Sequence, residues 1–329
     1  MTAPAERMPA APVPRARRRR ERLRAPSPGR ARAEYAALRT IVGLLGALPL
    51  FIALRLGELV AFLAYLVDRP HRRIGMRNLG IAFPDRPPSV RRRILRRSFL
   101  NLGRMAAELA HLPRLSDAQL RDMVRFEDEA WWEEAVTWER STGVMILSGH
   151  FGNWELLAYA HGKRGYPVHL VHRSIANPLV DRWLDVLRRG AGTHMIRKRE
   201  GAGAVLRALR ERALLVLPFD QNSTRGLGVF VDFFGLPAST NAGIARIALR
   251  ADAPIVPAFI VRDGWRARHR VHVLPILQVE RTDDMEADVV RNTQRMSEVF
   301  EDMVRRYPEQ WLWMHKRWKT RPPGEPRIY

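Results

Sequence analysis

The chain of 329 residues has no cysteine, which excludes disulfides, thiolate metal sites and a cysteine nucleophile. It is also short of negative charge: 34 Asp and Glu stand against 56 Lys and Arg, a formal charge of +22. Such a field draws polyanions, whether nucleic acid, anionic lipid or a phosphorylated small molecule, and charge alone does not choose among them. No phosphate-binding P-loop, dinucleotide fingerprint, internal repeat or nucleic-acid fold signature is present. His150, His161, His169 and His172 lack the spacing of a zinc site, so neither a metal nor a cofactor is expected. An unbroken apolar run of bilayer length is missing too: residues 41–54 supply 14, against the ~20 that a spanning helix needs.

The apolar fraction of 46% excludes a mostly disordered chain and can supply a sizeable core. The basic excess is uneven. Residues 1–40 hold eleven arginines against Glu6, Glu21 and Glu34, with a run at Arg17–Arg20, and read as a disordered basic tail. The apolar segment 41–67 follows directly. Pro49 is expected to kink it, and Arg55 and Glu58 are spaced to pair on one helix face. A basic segment abutting an apolar helix reads as a juxtamembrane anchor on anionic lipid. A full span would place residues 68–329 outside the cytosol by the positive-inside rule. A helix embedded in the cytoplasmic leaflet is therefore the expectation, with no nucleic acid as partner.

Residues 71–139 read as helical, broken by a proline turn at 84–88, with Ser89 as the cap of a helix over 90–112. Beyond Gly143 the pattern changes. Apolar runs at 144–147, 168–171, 214–217 and 255–261 and an alternating run at 270–274 predict strands. Helices are expected over 154–162, 178–189, 203–212, 242–250 and 286–306. The alternation predicts an α/β fold, a mixed sheet covered by helices on both faces, with an N-terminal membrane-associated helix. The expected division is a tail over 1–40, the apolar helix over 41–67 and a catalytic domain over 68–329.

The sharpest local feature is Ser148-Gly-His-Phe-Gly-Asn-Trp-Glu155, where a strand runs into a turn and Asn153 is placed to cap the following helix. Residues five apart on a regular helix differ by about 140° and do not meet. With His150 in the turn and Glu155 in the first helical turn, however, the carboxylate can reach the imidazole. That would be a base oriented by a carboxylate, suited to deprotonating a hydroxyl. The helix N-terminus offers backbone N–H groups to an oxyanion or phosphate. Ser148 is not in a Gly-x-Ser-x-Gly elbow and reads as a strand-end residue.

This segment resembles the His-x4-Glu form of the motif of the glycerolipid acyltransferase superfamily. More narrowly, the chain resembles the bacterial lipid A late acyltransferases, the lauroyl and myristoyl transferases. The likeness continues in order through Arg173-Ser-Ile-Ala-Asn177-Pro178, Phe219-Asp220-Gln221-Asn222 and Val229-Phe-Val-Asp-Phe-Phe-Gly235. It ends with Pro237-Ala-Ser-Thr-Asn-Ala-Gly243, Ala253-Pro-Ile-Val-Pro257 and the stretch from Tyr307 to Trp318. The arginine-rich tail departs from the family's compact N-terminus. The resemblance implies transfer of an acyl chain from an acyl carrier protein thioester to a hydroxyl of a lipid A precursor at the inner membrane, on its cytoplasmic face. An acyl-CoA donor stays open. His150 would be the base and Glu155 its orienter, with Arg173, Asn177, Lys198, Asp220 and Gln221 as substrate-binding candidates.

Several of these residues keep an ordinary alternative: Arg173 as a solvated charge, Asp220 as a turn or helix cap, and the cluster Arg197-Lys198-Arg199 as a solvated loop rather than a phosphate clamp. Phe230, Phe233 and Phe234 line either an acyl groove or the core. Trp311, Trp313 and Trp318, set among basic residues, fit a membrane–water interface, against a buried alternative. The same chemistry would serve a lysophospholipid or a phosphatidylinositol mannoside, and water as acceptor would make a thioesterase.

Overall fold

The apolar runs pair as the centre of one sheet. Strands β2 (Val144–Ser148), β5 (Leu214–Pro218) and β8 (Ile255–Arg262) lie side by side, β8 buried along its whole length. Strands without polar alternation must be covered on both faces, as in parallel α/β sheets. With β1 (Val124–Glu127), β3 (Val168–His172), β4 (His194–Arg197) and β9 (His269–Val273) the order is β1-β9-β8-β2-β5-β3-β4. Only β8 and β9 run antiparallel. A separate hairpin pairs β6 (Gly228–Phe233) with β7 (Leu236–Asn241). The computed structural model describes residues 26–137, 142–172, 174–197, 200–224 and 226–329.

Eleven helices surround these strands among the described residues. They are α1 (Pro28–Ala47), α2 (Leu50–Val67), α3 (Arg69–Ala82), α4 (Pro88–His111), α5 (Asp117–Met123) and α6 (Glu129–Thr137), followed by α7 (Trp154–Lys163), α8 (Pro178–Arg189), α9 (Gly201–Arg210), α10 (Gly243–Ala251) and α11 (Met285–Arg306). The expected mixed sheet covered by helices is present, and the helix and strand limits beyond Gly143 fall within a few residues of the predicted ones.

The N-terminal organisation differs from expectation. Residues 28–40 are helix rather than tail: Ser27 Oγ accepts from the Arg30 N–H, Pro28 opens α1, and Arg30 pairs with Glu34 at 2.7 Å. The arginine run at 17–20 lies outside the described residues. Pro49 does not kink one helix but separates two, standing as the N-cap of α2. Among the described residues α2 is the one helix long and apolar enough to cross a membrane, with mean hydropathy 2.1 and 22% of its span buried. Its inner side packs on α4 through Ala53, Leu54, Gly57 and Ala61, while Phe51, Leu56, Leu59, Val60, Leu63 and Val67 stay exposed. Arg55 and Glu58 pair as their spacing predicts, at 2.9 Å, and Glu58 also takes the Arg104 guanidinium of α4.

A wholly buried polar cluster joins α4 to the sheet. Glu108 accepts from both terminal nitrogens of Arg262 on β8, from His269 Nε2 on β9 at 3.0 Å, and from Asn153 Nδ2 at 2.7 Å. Burial pushes the Glu108 carboxyl up, but the Arg262 and His269 groups around it win and hold it far below the usual carboxylate range. Burial pulls the His269 pKa down in turn, and its Nε2–H donates to the Glu108 carboxylate.

The C-terminal aromatics correct another expectation. Trp311, Trp313 and Trp318 are wholly buried, packed with Phe233, Phe234 and Phe300 in the main core, rather than at an interface. Their indole N–H groups reach Asp220, the Pro308 carbonyl and the Leu236 carbonyl, and a buried donor with a partner carries no desolvation penalty of the unpaired kind. Phe233 and Phe234 are thus core residues and not a groove.

Candidate active site

Parallel pairing of β2 with β5 sets Ser148 beside Pro218. Two residues beyond each strand end stand His150 and Asp220, so register alone brings them together at the carboxyl edge of the sheet, where α/β sites form. His150 Nδ1 lies 3.0 Å from Asp220 Oδ1, and Asp220 Oδ2 accepts from Trp311 Nε1 at 3.0 Å. The turn leaves no room for side chains. A Cβ on Gly149 would meet the Asp220 carboxylate and the Phe300 ring, and Gly152, at φ +58, passes against the Ile260 carbonyl.

With Nδ1–H donated to Asp220, Nε2 is left as the basic nitrogen of the imidazole. Burial pulls the His150 pKa down, but the Asp220 charge and hydrogen bond, helped by the Glu155 charge, set it above the ordinary histidine value. Asp220 is the counterpart. Burial pushes its carboxyl up, yet the facing His150 and the Trp311 donor hold it well below the usual carboxylate range. The Trp154 ring stands edge-on to the imidazole at 5.0 Å, and Gln221 Nε2 lies 3.4 Å from both ring nitrogens.

Glu155 does not orient His150. It is bound in a fork by Arg188, Nε to Oε2 at 2.9 Å and Nη2 to Oε1 at 2.6 Å. The reason is geometric: α7 begins at Trp154, so Glu155 projects from the helix toward α8 while His150 remains in the turn facing Asp220. Planar guanidinium and carboxylate matched in this way make a strong, directional pair. Asn153 does cap α7, Oδ1 accepting from the Leu156 N–H. Its Nδ2 is held by Glu108, so the buried cluster fixes the turn from behind.

A cavity of about 430 Å³ opens here, with His150, Glu155, Arg188 and Gln221 in its lining. It is lined further by residues of α7, β2, β3 and β5, among them Ile146, Leu170 and Val216.

The remaining expected site residues separate into three groups. Gln221 lines the cavity. Asn177 does not: it is 5% exposed, caps α8 by accepting from the Leu179 and Val180 N–H groups, and donates Nδ2 to the Ala31 carbonyl and to Glu34. An Asn-Pro pair opening a helix serves the cap before any ligand. Replacing Asn177 by alanine is expected to lower the unfolding free energy by about 1–2 kcal/mol in a denaturant titration, by loss of that cap. Arg173, Lys198 and Arg199 lie outside the described residues. Arg197 reaches Asp185 at 3.6 Å and Asp181 at 4.0 Å. Those two carboxylates and His172 are close enough to share a cation, but the Arg197 guanidinium already supplies positive charge to them.

Two partnerships escape sequence reasoning: Asp220 with His150, and Arg188 with Glu155. Asp220 was visible as a strand-end acid, with nothing to say what it would face. Arg188 is one of many arginines.

Comparison with known proteins gives a consistent set. A sequence profile of bacterial lipid A biosynthesis acyltransferases matches residues 30–320. The lipid A biosynthesis myristoyltransferase of Escherichia coli K12 is 27% identical over 263 residues, 80% of each chain. The lauroyltransferase of the same strain is 26% identical over 297 residues, 88% of this chain and 92% of the other. The palmitoleoyltransferase is 25% identical over 283 residues, 86% and 90%. Among solved structures, the 1-acyl-sn-glycerophosphate acyltransferase PlsC of Thermotoga maritima aligns with 75% of this chain and 97% of its own, at 12% identity and a TM-score of 0.36.

Proposed function

The chain belongs to the bacterial lipid A biosynthesis acyltransferase family, and from that premise we propose that it moves a fatty acyl chain from an acyl carrier protein thioester to a hydroxyl of a lipid A precursor, with His150 as general base. The observation that carries this reading is His150 with Nδ1 on a buried carboxylate and its ring lining the cavity. Nε2 takes the proton of the acceptor hydroxyl as its oxygen attacks the thioester carbonyl. The tetrahedral intermediate expels the thiolate, which recovers the proton from the imidazolium. Asp220 stabilises the imidazolium in between, and no acyl-enzyme forms.

Glu155 acts in this scheme through Arg188. The fork fixes a guanidinium in the cavity lining, where it can face the developing oxyanion or a phosphate of the acceptor. Gln221 offers a second donor beside the imidazole. The acyl chain occupies the apolar cavity. The exposed face of α2 lies in the cytoplasmic leaflet of the inner membrane, with basic residues on anionic lipid, and the thioester carrier approaches from the cytosol.

The test is purified full-length protein in detergent with an acyl carrier protein thioester and a lipid A precursor, read by mass spectrometry. A precursor heavier by one acyl group, with free carrier thiol, is expected. Free fatty acid with unmodified lipid would make the protein a thioesterase, and acylation of a lysophospholipid in preference to the precursor would change the acceptor. Replacing the carrier by CoA reads the donor.

A further inference from the structure

The acyl-transfer reading leaves unexplained the inner end of the cavity, where an alkyl chain would be expected to meet only hydrocarbon. Along α7 the lining runs from Glu155 through Leu157 and Ala158 to His161, roughly 9 Å deeper at ~1.5 Å per residue. Along β5 it runs from Pro218 through Val216 to Leu214, roughly 13 Å at ~3.3 Å per residue. At that depth stand His161 of α7 and Trp132 of α6, ring centroids 4.6 Å apart and 5% and 1% exposed.

Both carry a buried polar atom with no partner among the described residues: Trp132 Nε1 and His161 Nε2. The character of each is settled. Burial lowers the His161 pKa to about 4, so the ring is neutral, and Nδ1–H donates to the Leu157 carbonyl at 2.9 Å. Nε2 is therefore a bare acceptor, while the indole Nε1–H can only donate. Val168, Leu170 and Leu214 of the cavity lining are apolar, and the two rings also touch Phe126 and Tyr166, with the Arg164 charge near His161. One unpaired donor and one unpaired acceptor on neighbouring rings match a single hydroxylic group, which gives and takes one hydrogen bond.

We infer that Trp132 and His161 form a polar stop that sets acyl-chain length: they hold one water at the cavity end, and an alkyl terminus long enough to displace it is rejected. The discrimination comes from polarity rather than bulk. A methyl group arriving there strips a buried donor and a buried acceptor of their partner and returns nothing, whereas a shorter chain leaves the water in place.

The experiment measures kcat/KM for a ladder of acyl donors in two-carbon steps, each plain or carrying a terminal hydroxyl. Call the first chain beyond the wild-type cut-off the long donor. Trp132→Phe and His161→Leu should each raise the rate with the plain long donor about tenfold relative to wild type, one unpaired group having been removed. His161→Gln, which keeps a polar end, should retain the cut-off. In the unaltered enzyme the long donor with a terminal hydroxyl should be used about a hundredfold better than the plain one, because its hydroxyl replaces both of the water's bonds. A purely steric floor would treat the two donors alike. Equal use of plain and hydroxylated long donors by the wild type overturns the polar stop even if no variant folds. Transfer that proceeds without this discrimination sinks the inference alone, whereas no transfer of any chain to any lipid sinks the acyltransferase reading with it.

Discussion

His150→Ala is expected to lower acyl transfer by roughly 10²–10⁴-fold, the usual contribution of a positioned general base, while the protein stays folded. Neither nearby carboxylate can substitute. Glu155 is occupied in the fork with Arg188, and Asp220 lies wholly buried behind the imidazole, with one oxygen on Trp311. The fold survives because the imidazole holds no backbone group and because Asp220 keeps the indole N–H. The measurement is initial rate with a fixed thioester and acceptor, alongside far-UV circular dichroism and a cooperative melting transition. Wild-type rate in the variant would mean that the hydroxyl loses its proton to another group.

Glu108→Ala costs about 3–5 kcal/mol of unfolding free energy, the penalty for removing one partner of a buried ion pair. Three groups depend on that carboxylate: the Arg262 guanidinium, 1% exposed on its side chain, the His269 Nε2–H and the Asn153 amide. Alanine leaves the guanidinium buried with Asn101 as its remaining side-chain partner. The Asn153 amide also lets go of its anchor, so the turn carrying His150 loosens. A denaturant titration should show the midpoint falling with an unchanged slope, and the variant should lose activity at temperatures where it is still folded. Replacing Glu108 and Arg262 together by apolar residues should cost less than the single change, because no charge is then stranded.

How much of this was legible depended on whether the deciding contact was local. The turn from Ser148 to Asn153, its cap, and the strands and helices after Gly143 follow from periodicity and capping, which are properties of neighbouring residues. The hairpin β6–β7 carries no such local signal. Its two-residue turn puts Phe234 at φ +57 and Gly235 at φ +73, a geometry usually announced by Asn-Gly; here the Phe234 N–H is held by Glu301 and the Gly235 N–H by Asp232. The short strands β1 and β4 carry too few residues for a pattern. At the site, spacing within one segment suggested Glu155 as the partner of His150, but the partner came from 70 residues away because β2 and β5 are neighbours in the sheet. Strand order is a long-range property that no window of sequence contains. Trp311, Trp313 and Trp318 misled for a similar reason: indoles among lysines and arginines look interfacial until the chain folds them onto Phe233 and Phe300.

The claim that Asp220 sets His150 as the base is tested most directly by the pH dependence of kcat/KM in the wild type and in Asp220→Asn. In the proposed scheme the reactive form is neutral imidazole, so activity should rise with pH through the His150 pKa. In the wild type Asp220 outweighs burial, and the midpoint should lie above the ordinary value of 6.5. In Asp220→Asn burial is left without that opposing charge. The midpoint should move below the wild-type one while the plateau rate drops, because the imidazolium formed during transfer has lost its counter-ion. A variant with the wild-type midpoint and plateau would contradict the assignment of Asp220 as the group that orients and charges the base.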